Sequence, residues 1–267
     1  SDDVLSMCFL TFFNGKKPVL FPDITYSFYS VWADLYRIPY EKQKLDDNMK
    51  IVPEDYYKEN GGVIFPNPNA PTGLLMDLDS VRDIIEHNKD VVVIVDEAYI
   101  DFGGVSAKDL VNEYDNVLVV QTFSKSRSMA GMRIGYAFGS KELIKALNDV
   151  KFSFNSYTMN MTSIDMGVAS INDKKYFEEC VERITATRER TKEELTKLGF
   201  TFPDSKANFI FATHKSVPAK EIFEKLKDLN IFVRYFAQPG IDNYLRITIG
   251  TDEQMDKLIS ALSEIVG

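Results

Sequence analysis

Thr122-Phe123-Ser124-Lys125-Ser126-Arg127-Ser128-Met129-Ala130-Gly131-Met132-Arg133-Ile134-Gly135 is the most informative stretch of this 267-residue chain. It follows the apolar run Asn116-Val117-Leu118-Val119-Val120-Gln121, which reads as a strand. Lys125 therefore stands just past a strand end, among small hydroxyl residues, with Arg133 further along the same loop. Hydroxyls and a guanidinium suit a phosphate dianion. A lysine amine beside them suits Schiff-base formation with a carbonyl group. Taken alone, the same residues also describe a solvated lysine in a hydroxyl-rich loop.

Two further segments bear on that choice. In Val91-Val92-Val93-Ile94-Val95-Asp96-Glu97-Ala98-Tyr99, a β-branched run reads as a strand buried on both faces, as in a parallel sheet. Asp96 and Tyr99 follow at its C-terminal end, the edge where open α/β sheets bind ligands. A carboxylate there can pair with a protonated ring nitrogen; the plainer alternative is an aspartate capping the next turn, with Tyr99 in the core. Phe65-Pro66-Asn67-Pro68-Asn69-Ala70-Pro71-Thr72-Gly73 packs prolines and a glycine into a rigid turn after Gly62-Val63-Ile64-Phe65.

Proline turn, strand-Asp-x-x-Tyr and Ser-Lys…Arg, in this order, resemble the aspartate-aminotransferase-like (fold type I) enzymes that use pyridoxal phosphate (PLP). Ile231-Phe232-Val233-Arg234-Tyr235-Phe236 and Tyr244-Leu245-Arg246-Ile247-Thr248-Ile249-Gly250-Thr251 are similar to segments of the histidinol-phosphate aminotransferase branch. The resemblance implies that Lys125 carries PLP and, once freed, moves a proton on the substrate, for which its amine must be neutral. It implies that Asp96 keeps the pyridine nitrogen protonated and that Tyr99 bonds the ring's 3-oxygen. Thr122, Ser124 and Arg133 are implied as phosphate ligands. The family's turn asparagine falls where this chain has Ala70, so Asn69, or else Asn67, is expected to reach the 3-oxygen. Tyr26, in Pro22-Asp23-Ile24-Thr25-Tyr26, is implied as the aromatic stacked on the ring, or is an ordinary core aromatic. Arg246 is implied to hold the α-carboxylate of an amino donor such as glutamate. Arg234 is the candidate for a substrate phosphate, or a strand arginine reaching the surface.

The implied reaction moves an amino group between histidinol phosphate and 2-oxoglutarate, in histidine biosynthesis. Threonine-phosphate decarboxylase and aromatic aminotransferases share the motifs and remain alternatives. So do a PLP-binding transcription regulator, for which the chain offers no basic DNA-binding head, and an inert fragment. The family also implies a homodimer. Ser1-Asp2-Asp3 resembles the end of a Gly-Ser-Asp-Glu turn opening a helix, whose backbone N–H groups receive the PLP phosphate. Ser1 and Asp2 are therefore expected at the cofactor. An N-terminally truncated chain is expected too, crippled in catalysis as it stands.

Bulk properties narrow the classes. A formal charge of −9 with no basic stripe argues against nucleic-acid binding. Cys8 and Cys180 lie far apart and suggest no disulfide framework, which fits a reducing cytoplasm. With His87 and His214 as the only histidines, both expected on the surface or in loops, a histidine triad or zinc site has too few ligands. No apolar run approaches the ~20 residues of a membrane span.

Periodicity predicts an α/β fold. Strand Pro18–Phe21, helix Thr25–Leu35, strand Gly62–Pro66, helix Leu78–His87, strands Val91–Val95 and Val117–Gln121 and strand Met132–Phe138 argue for a sheet flanked by helices, which the family resemblance implies is mixed and mostly parallel. After helix Lys141–Val150 come two helical stretches, broken near Asn172-Asp173. Strands Phe200–Phe202, Asn208–Ala212, Ile231–Tyr235 and Tyr244–Ile249, with helices Ala219–Leu229 and Glu253–Ile265, predict a small α+β domain. Residues 1–155 are expected to form the PLP-binding large domain, and 156–267 the connecting helices and small domain.

Overall fold

The computed structural model describes residues 1–267. In chain order the elements are α1 (Asp2–Phe12), β1 (Val19–Pro22), α2 (Phe28–Tyr36), β2 (Tyr40–Gln43), β3 (Gly62–Pro66), α3 (Leu78–His87), β4 (Val93–Asp96), β5 (Val117–Thr122), β6 (Gly135–Gly139) and α4 (Lys141–Phe154). Then follow α5 (Met161–Asn172), α6 (Lys174–Lys197), β7 (Phe200–Thr201), β8 (Phe209–His214), α7 (Ala219–Asp228), β9 (Arg234–Tyr235), β10 (Leu245–Thr248) and α8 (Asp252–Val266).

Six strands form one sheet in the order β2-β1-β3-β4-β5-β6. All its pairings are parallel except β5 with β6. Its central strands are apolar on both sides because both sides are covered. Ile64, Ile94, Leu118 and Val120 face a core built with Leu5, Phe9, Tyr29, Trp32 and Leu147, from α1, α2 and α4. The alternate residues Val63, Phe65, Val93, Val95, Val117 and Val119 face Val81, Ile84 and Ile85 of α3. This period-two division is the pleat of a strand expressed twice. It aligns the C-terminal ends of β3, β4 and β5 along one edge, with Pro66 in register with Asp96.

A second, antiparallel sheet runs β7-β8-β10-β9. Ile210, Ala212, Leu245 and Ile247 pack there against Leu195 of α6, Ile222 and Leu226 of α7, and Met255, Leu258 and Leu262 of α8. The start of α8 is fixed by a reciprocal cap, Thr251 with Gln254.

Several expectations shift. β2 was not foreseen: Tyr-Glu-Lys-Gln is a short polar edge strand whose middle is exposed. α2 starts at Phe28, leaving Thr25 and Tyr26 in the bend before it. The expected strand from Met132 begins only at Gly135, because residues 130–132 form a 3-10 turn and Arg133 is left-handed (φ 56°). β9 keeps two residues of the expected five. His214 is corrected as well. It is buried at the end of β8, with Nε2 3.0 Å from the Leu198 carbonyl and Nδ1 accepting from the Val217 N–H at 3.0 Å. These partners make Nε2 the protonated nitrogen, so the ring clips the end of α6 to the β8–α7 loop. His87 is partly exposed and stacks on Tyr57.

Candidate active site

Asp96 ends β4 and Thr122 ends β5, so both stand on the edge created by the parallel strands. Beyond β5 the chain makes a closed loop. Phe123 N–H donates to Ile134 O (3.1 Å), Met129 N–H to Phe123 O (3.0 Å) and Ser128 N–H to Lys125 O (3.0 Å). The Thr122 hydroxyl oxygen accepts from the Ser124 N–H at 3.1 Å, and Ser126 donates to Asp101 in the loop after β4. Lys125 is thus carried on a turn fixed at both ends.

The turn aims Lys125 into a cavity of about 150 Å³ that Ser1, Asp2, Tyr26, Asp96, Tyr99, Thr122, Ser124 and Arg133 also line. Nine of the residues singled out from the sequence therefore meet at one place. The Lys125 amine forms no ion pair or hydrogen bond within the chain and lies 5.2 Å from the centre of the Tyr99 ring. The Tyr99 ring is held edge-on by Phe209 (5.1 Å, 88°), and its hydroxyl has no partner in the chain.

Asp96 is 4% exposed. Its Oδ2 accepts from the Tyr29 hydroxyl at 2.8 Å and its Oδ1 from the Ala98 N–H at 3.3 Å. No lysine or arginine pairs with it. Burial pushes its carboxyl pKa up to about 6, against the opposing pull of the Tyr29 bond. A buried carboxylate without a cation, on the wall of a cavity, suits a cationic ring.

The phosphate-side expectations converge on the start of α1. Tyr26 donates to Asp2 Oδ1 at 3.0 Å, and the Arg133 guanidinium lies 3.8 Å from Asp2 Oδ2. The first-turn N–H groups of a helix have no intrahelical acceptor, so the start of α1 presents donors here.

Asn69 does not join the site. Its Nδ2 donates to Ile24 O (3.0 Å) and Thr72 Oγ1 (3.2 Å), and its Oδ1 accepts from Thr25 (3.1 Å), so its amide is spent bracing the turn. Asn67 is no substitute: it makes paired bonds with the backbone of Met76. The proline turn instead offers Pro66 and Ala70 to the cavity, an apolar wall.

Arg234 and Arg246 line a second cavity, of about 480 Å³, that shares Tyr26 and Ala70 with the first. They are direct cross-strand partners in the β9–β10 ladder. Both guanidinia lie over Phe236, at 5.5 and 5.9 Å, and Arg246 also over Phe209 at 5.2 Å. Neither has an acidic partner, and the buried Arg246 Nε has no acceptor at all. Like charges placed directly opposite each other are destabilising. Such a pair is what an anion would relieve.

Sequence reasoning missed Tyr29, which reaches Asp96 across 67 positions. It also missed Phe209 and Phe236, the rings under the arginines. The only local signal for Tyr29 was the aromatic density of Tyr26-Ser27-Phe28-Tyr29. No three His, Cys, Asp or Glu side chains converge as metal ligands.

The donor set fits PLP: an unpartnered amine, a cation-free carboxylate, an unspent phenol, and a hydroxyl-rich turn facing a helix start. Comparisons with known proteins place the chain in a family. The family model described as aminotransferase class I and II matches residues 1–262. A histidinol-phosphate aminotransferase of Clostridium beijerinckii is 53% identical over 266 residues, covering 100% of this chain and 74% of the relative. The structure of histidinol-phosphate aminotransferase from Clostridium acetobutylicum superposes with TM-score 0.90 at 24% identity, covering 97% of this chain and 81% of the other. That of the Sinorhizobium meliloti histidinol-phosphate aminotransferase, in complex with pyridoxal-5'-phosphate, gives TM-score 0.90 at 21% identity, covering 99% and 74%. At these identities the two structures establish the fold.

Proposed function

Because this chain belongs to the class I and II aminotransferase family, we propose that it transfers an amino group between histidinol phosphate and 2-oxoglutarate, with PLP held at Lys125. The observation that carries this is the free Lys125 amine facing the cation-free Asp96 in one cavity, next to a pair of unneutralised arginines in the adjoining one. The 53% identity with a histidinol-phosphate aminotransferase favours that substrate over threonine phosphate or an aromatic amino acid.

When bound, PLP supplies an aldehyde carbon that links to an amine and a protonated ring that takes up the electron pair of a broken Cα–H bond. The chain's residues do the rest. Lys125 Nζ provides the amine that anchors the cofactor and, once released, takes a proton from the substrate Cα. Asp96 holds the proton on the ring nitrogen. Tyr99 would donate to the 3-oxygen, without an amide from the proline turn to help it. Thr122, Ser124, Arg133 and the N–H groups at Ser1 and Asp2 hold the phosphate. Tyr26 lines both cavities and would meet the cofactor ring in one and the substrate in the other.

Arg234 and Arg246 are neighbours rather than separate stations, so we assign them one shared anion site. It would accept the phosphate of histidinol phosphate in one half-reaction and a carboxylate of glutamate in the other. Lys125 and Asp96 stand in residues 1–155, which we take as the cofactor domain, and the arginine pair in 156–267.

A homodimer of this chain in the cytoplasm completes the proposal. Phe152 and Phe154 at the end of α4, Tyr157, and Met161, Ile164, Val168 and Ile171 on α5 are all exposed, an apolar surface of the kind a second copy would cover. No helix is long and apolar enough to cross a membrane.

The test is direct. The protein is loaded with PLP, reduced with borohydride and mapped by peptide mass spectrometry; the pyridoxyl group is expected on Lys125. Amino transfer is then assayed with histidinol phosphate, phosphothreonine and phenylalanine as donors. Label on another lysine, or preference for either rival donor, would overturn the assignment.

A further inference from the structure

Asp96 is held almost entirely by one side chain. Tyr29 lies on α2, is fully buried, and has Asp96 Oδ2 as the only partner of its hydroxyl, at 2.8 Å. The other carboxylate oxygen receives one long bond, 3.3 Å from the Ala98 amide. The terminal torsion of an aspartate is soft, so a carboxyl group with one weak bond would rotate. The Tyr29 ring cannot follow such a rotation. Phe21 and Tyr26 meet it edge-on at 5.8 Å each, and Phe9 lies at 6.1 Å.

We propose that Tyr29 is a positioning residue of this site: its buried hydroxyl fixes the orientation of the Asp96 carboxylate and keeps it ionised toward a cationic ring in the cavity. The proposal rests on the assignment of Asp96 as partner of the ring nitrogen.

The groups around Asp96 explain why one hydroxyl matters. From the start of α1 comes the Asp2 carboxylate, which opposes the ionised form. Further along α1, the buried Cys8 thiol is held protonated, its ionisation opposed by burial and then by Asp96. Tyr26 and Tyr99 border the same cavity, and Lys125 and Arg133 line it without pairing to Asp96. Burial dominates and raises the Asp96 pKa; the Tyr29 bond is the largest influence in the other direction. A hydrogen bond to the charged form favours that form. Without Tyr29 the carboxyl group would keep its proton to higher pH and face a cationic ring as a neutral acid.

The full chain is compared with Tyr29→Phe, which keeps the ring and removes the hydroxyl, and with 3-fluorotyrosine placed at position 29, which keeps the shape and makes the hydroxyl a stronger donor. The first measurement follows the infrared band of the protonated Asp96 carboxyl against pH without PLP, the band being identified by its loss in Asp96→Asn. Its midpoint should rise by about one pH unit in Tyr29→Phe and fall in the fluorotyrosine protein. The second measures the PLP dissociation constant against pH. The acid limb of PLP binding should move in the same directions as the carboxyl midpoint. Midpoints that stay in place in both proteins would overturn the proposal. So would shifted midpoints with an unchanged pH profile of PLP binding, since the ionisation that Tyr29 controls would then not bear on the cationic ring. Failure of the parent protein to bind PLP would sink the assignment of the cavity itself, and it is told apart from the first failure because the carboxyl titration needs no PLP. Should Tyr29→Phe not fold, the fluorotyrosine shift alone decides.

Discussion

Replacing Asp96 by asparagine should stabilise the PLP-free protein at neutral pH, although it removes a residue placed at the centre of the chemistry. The carboxyl pKa rises from 3.8 to about 6 on folding, chiefly through burial. Between those values the folded state holds more protons than the unfolded state, so stability falls as pH rises through this window. The contribution of this group is fully present below about pH 4 and lost above about pH 6. Two pKa units correspond to about 3 kcal/mol. Asparagine is neutral throughout and nearly isosteric. It weakens the charge-assisted bond from Tyr29, which costs about 1 kcal/mol. The expected difference at pH 7.5 is therefore about 2 kcal/mol in favour of Asp96→Asn, shrinking to zero or below at pH 4. Urea unfolding followed by circular dichroism, at half-unit steps between pH 4 and 7.5, gives the difference free of the other titrating groups, which cancel. A difference that stays flat across this range would refute the claim that Asp96 is a strained, cation-free carboxylate. With PLP present the order should invert, because the variant offers the ring nitrogen no anion.

Lys125→Ala should abolish amino transfer and borohydride labelling while leaving urea stability within about 0.5 kcal/mol, since the amine bonds nothing in the chain. Arg234→Ala should raise stability without ligand by about 0.2–1 kcal/mol, through relief of the cross-strand repulsion with Arg246, and should lose that gain in the presence of phosphate. Arg246→Lys keeps the charge but loses the fork; stopped-flow measurement of both half-reactions should show both impaired, about tenfold or more, if the anion site is shared. His214→Ala should cost about 2 kcal/mol of stability by orphaning the Leu198 carbonyl and the Val217 amide, with PLP affinity unchanged in a fluorescence titration.

The parts of the fold that were legible are those whose burial is two-sided or whose ends are chemically marked. β3, β4 and β5 stand out because both faces are covered and almost every position is apolar. α3 was readable to the residue: Asp77 caps its first turn through the Ser80 amide, and its apolar stripe is regular. β2 and β9 were not, since edge strands of two to four residues with polar side chains carry no periodic signal. The site divided in the same way. Lys125, Asp96 and Tyr99 follow strand ends, and strand ends are local. Asn69 was misassigned because the direction of its amide is set by Ile24 and Thr25, far away in sequence. The pairing of Arg234 with Arg246 was hidden by the irregular loop between them, which fixes their register without any repeating pattern.

One physical consequence joins these observations. The Lys125 cavity is lined by the large sheet's edge and the start of α1, while the arginine pair belongs to the small sheet, so the distance between the two cavities depends on how the two sheets are fastened. Arg188 of α6 does much of this: buried, it donates to Phe102 O beside the Tyr99 loop at 2.8 Å and to Ala207 O before β8 at 2.9 Å. The Lys206 amide bonds Gly73 O of the proline turn at 2.8 Å, and Ala70, Ala207, Phe209 and Tyr99 pack together between these bonds. Phe209 is the pivot. It holds the Tyr99 ring from one side and lies beneath the Arg246 guanidinium on the other. A rigid ring packed between Tyr99 of one cavity and Arg246 of the other helps set their spacing by packing alone. That explains how a site assembled from distant parts of the chain can hold its geometry with so few direct hydrogen bonds between its functional groups.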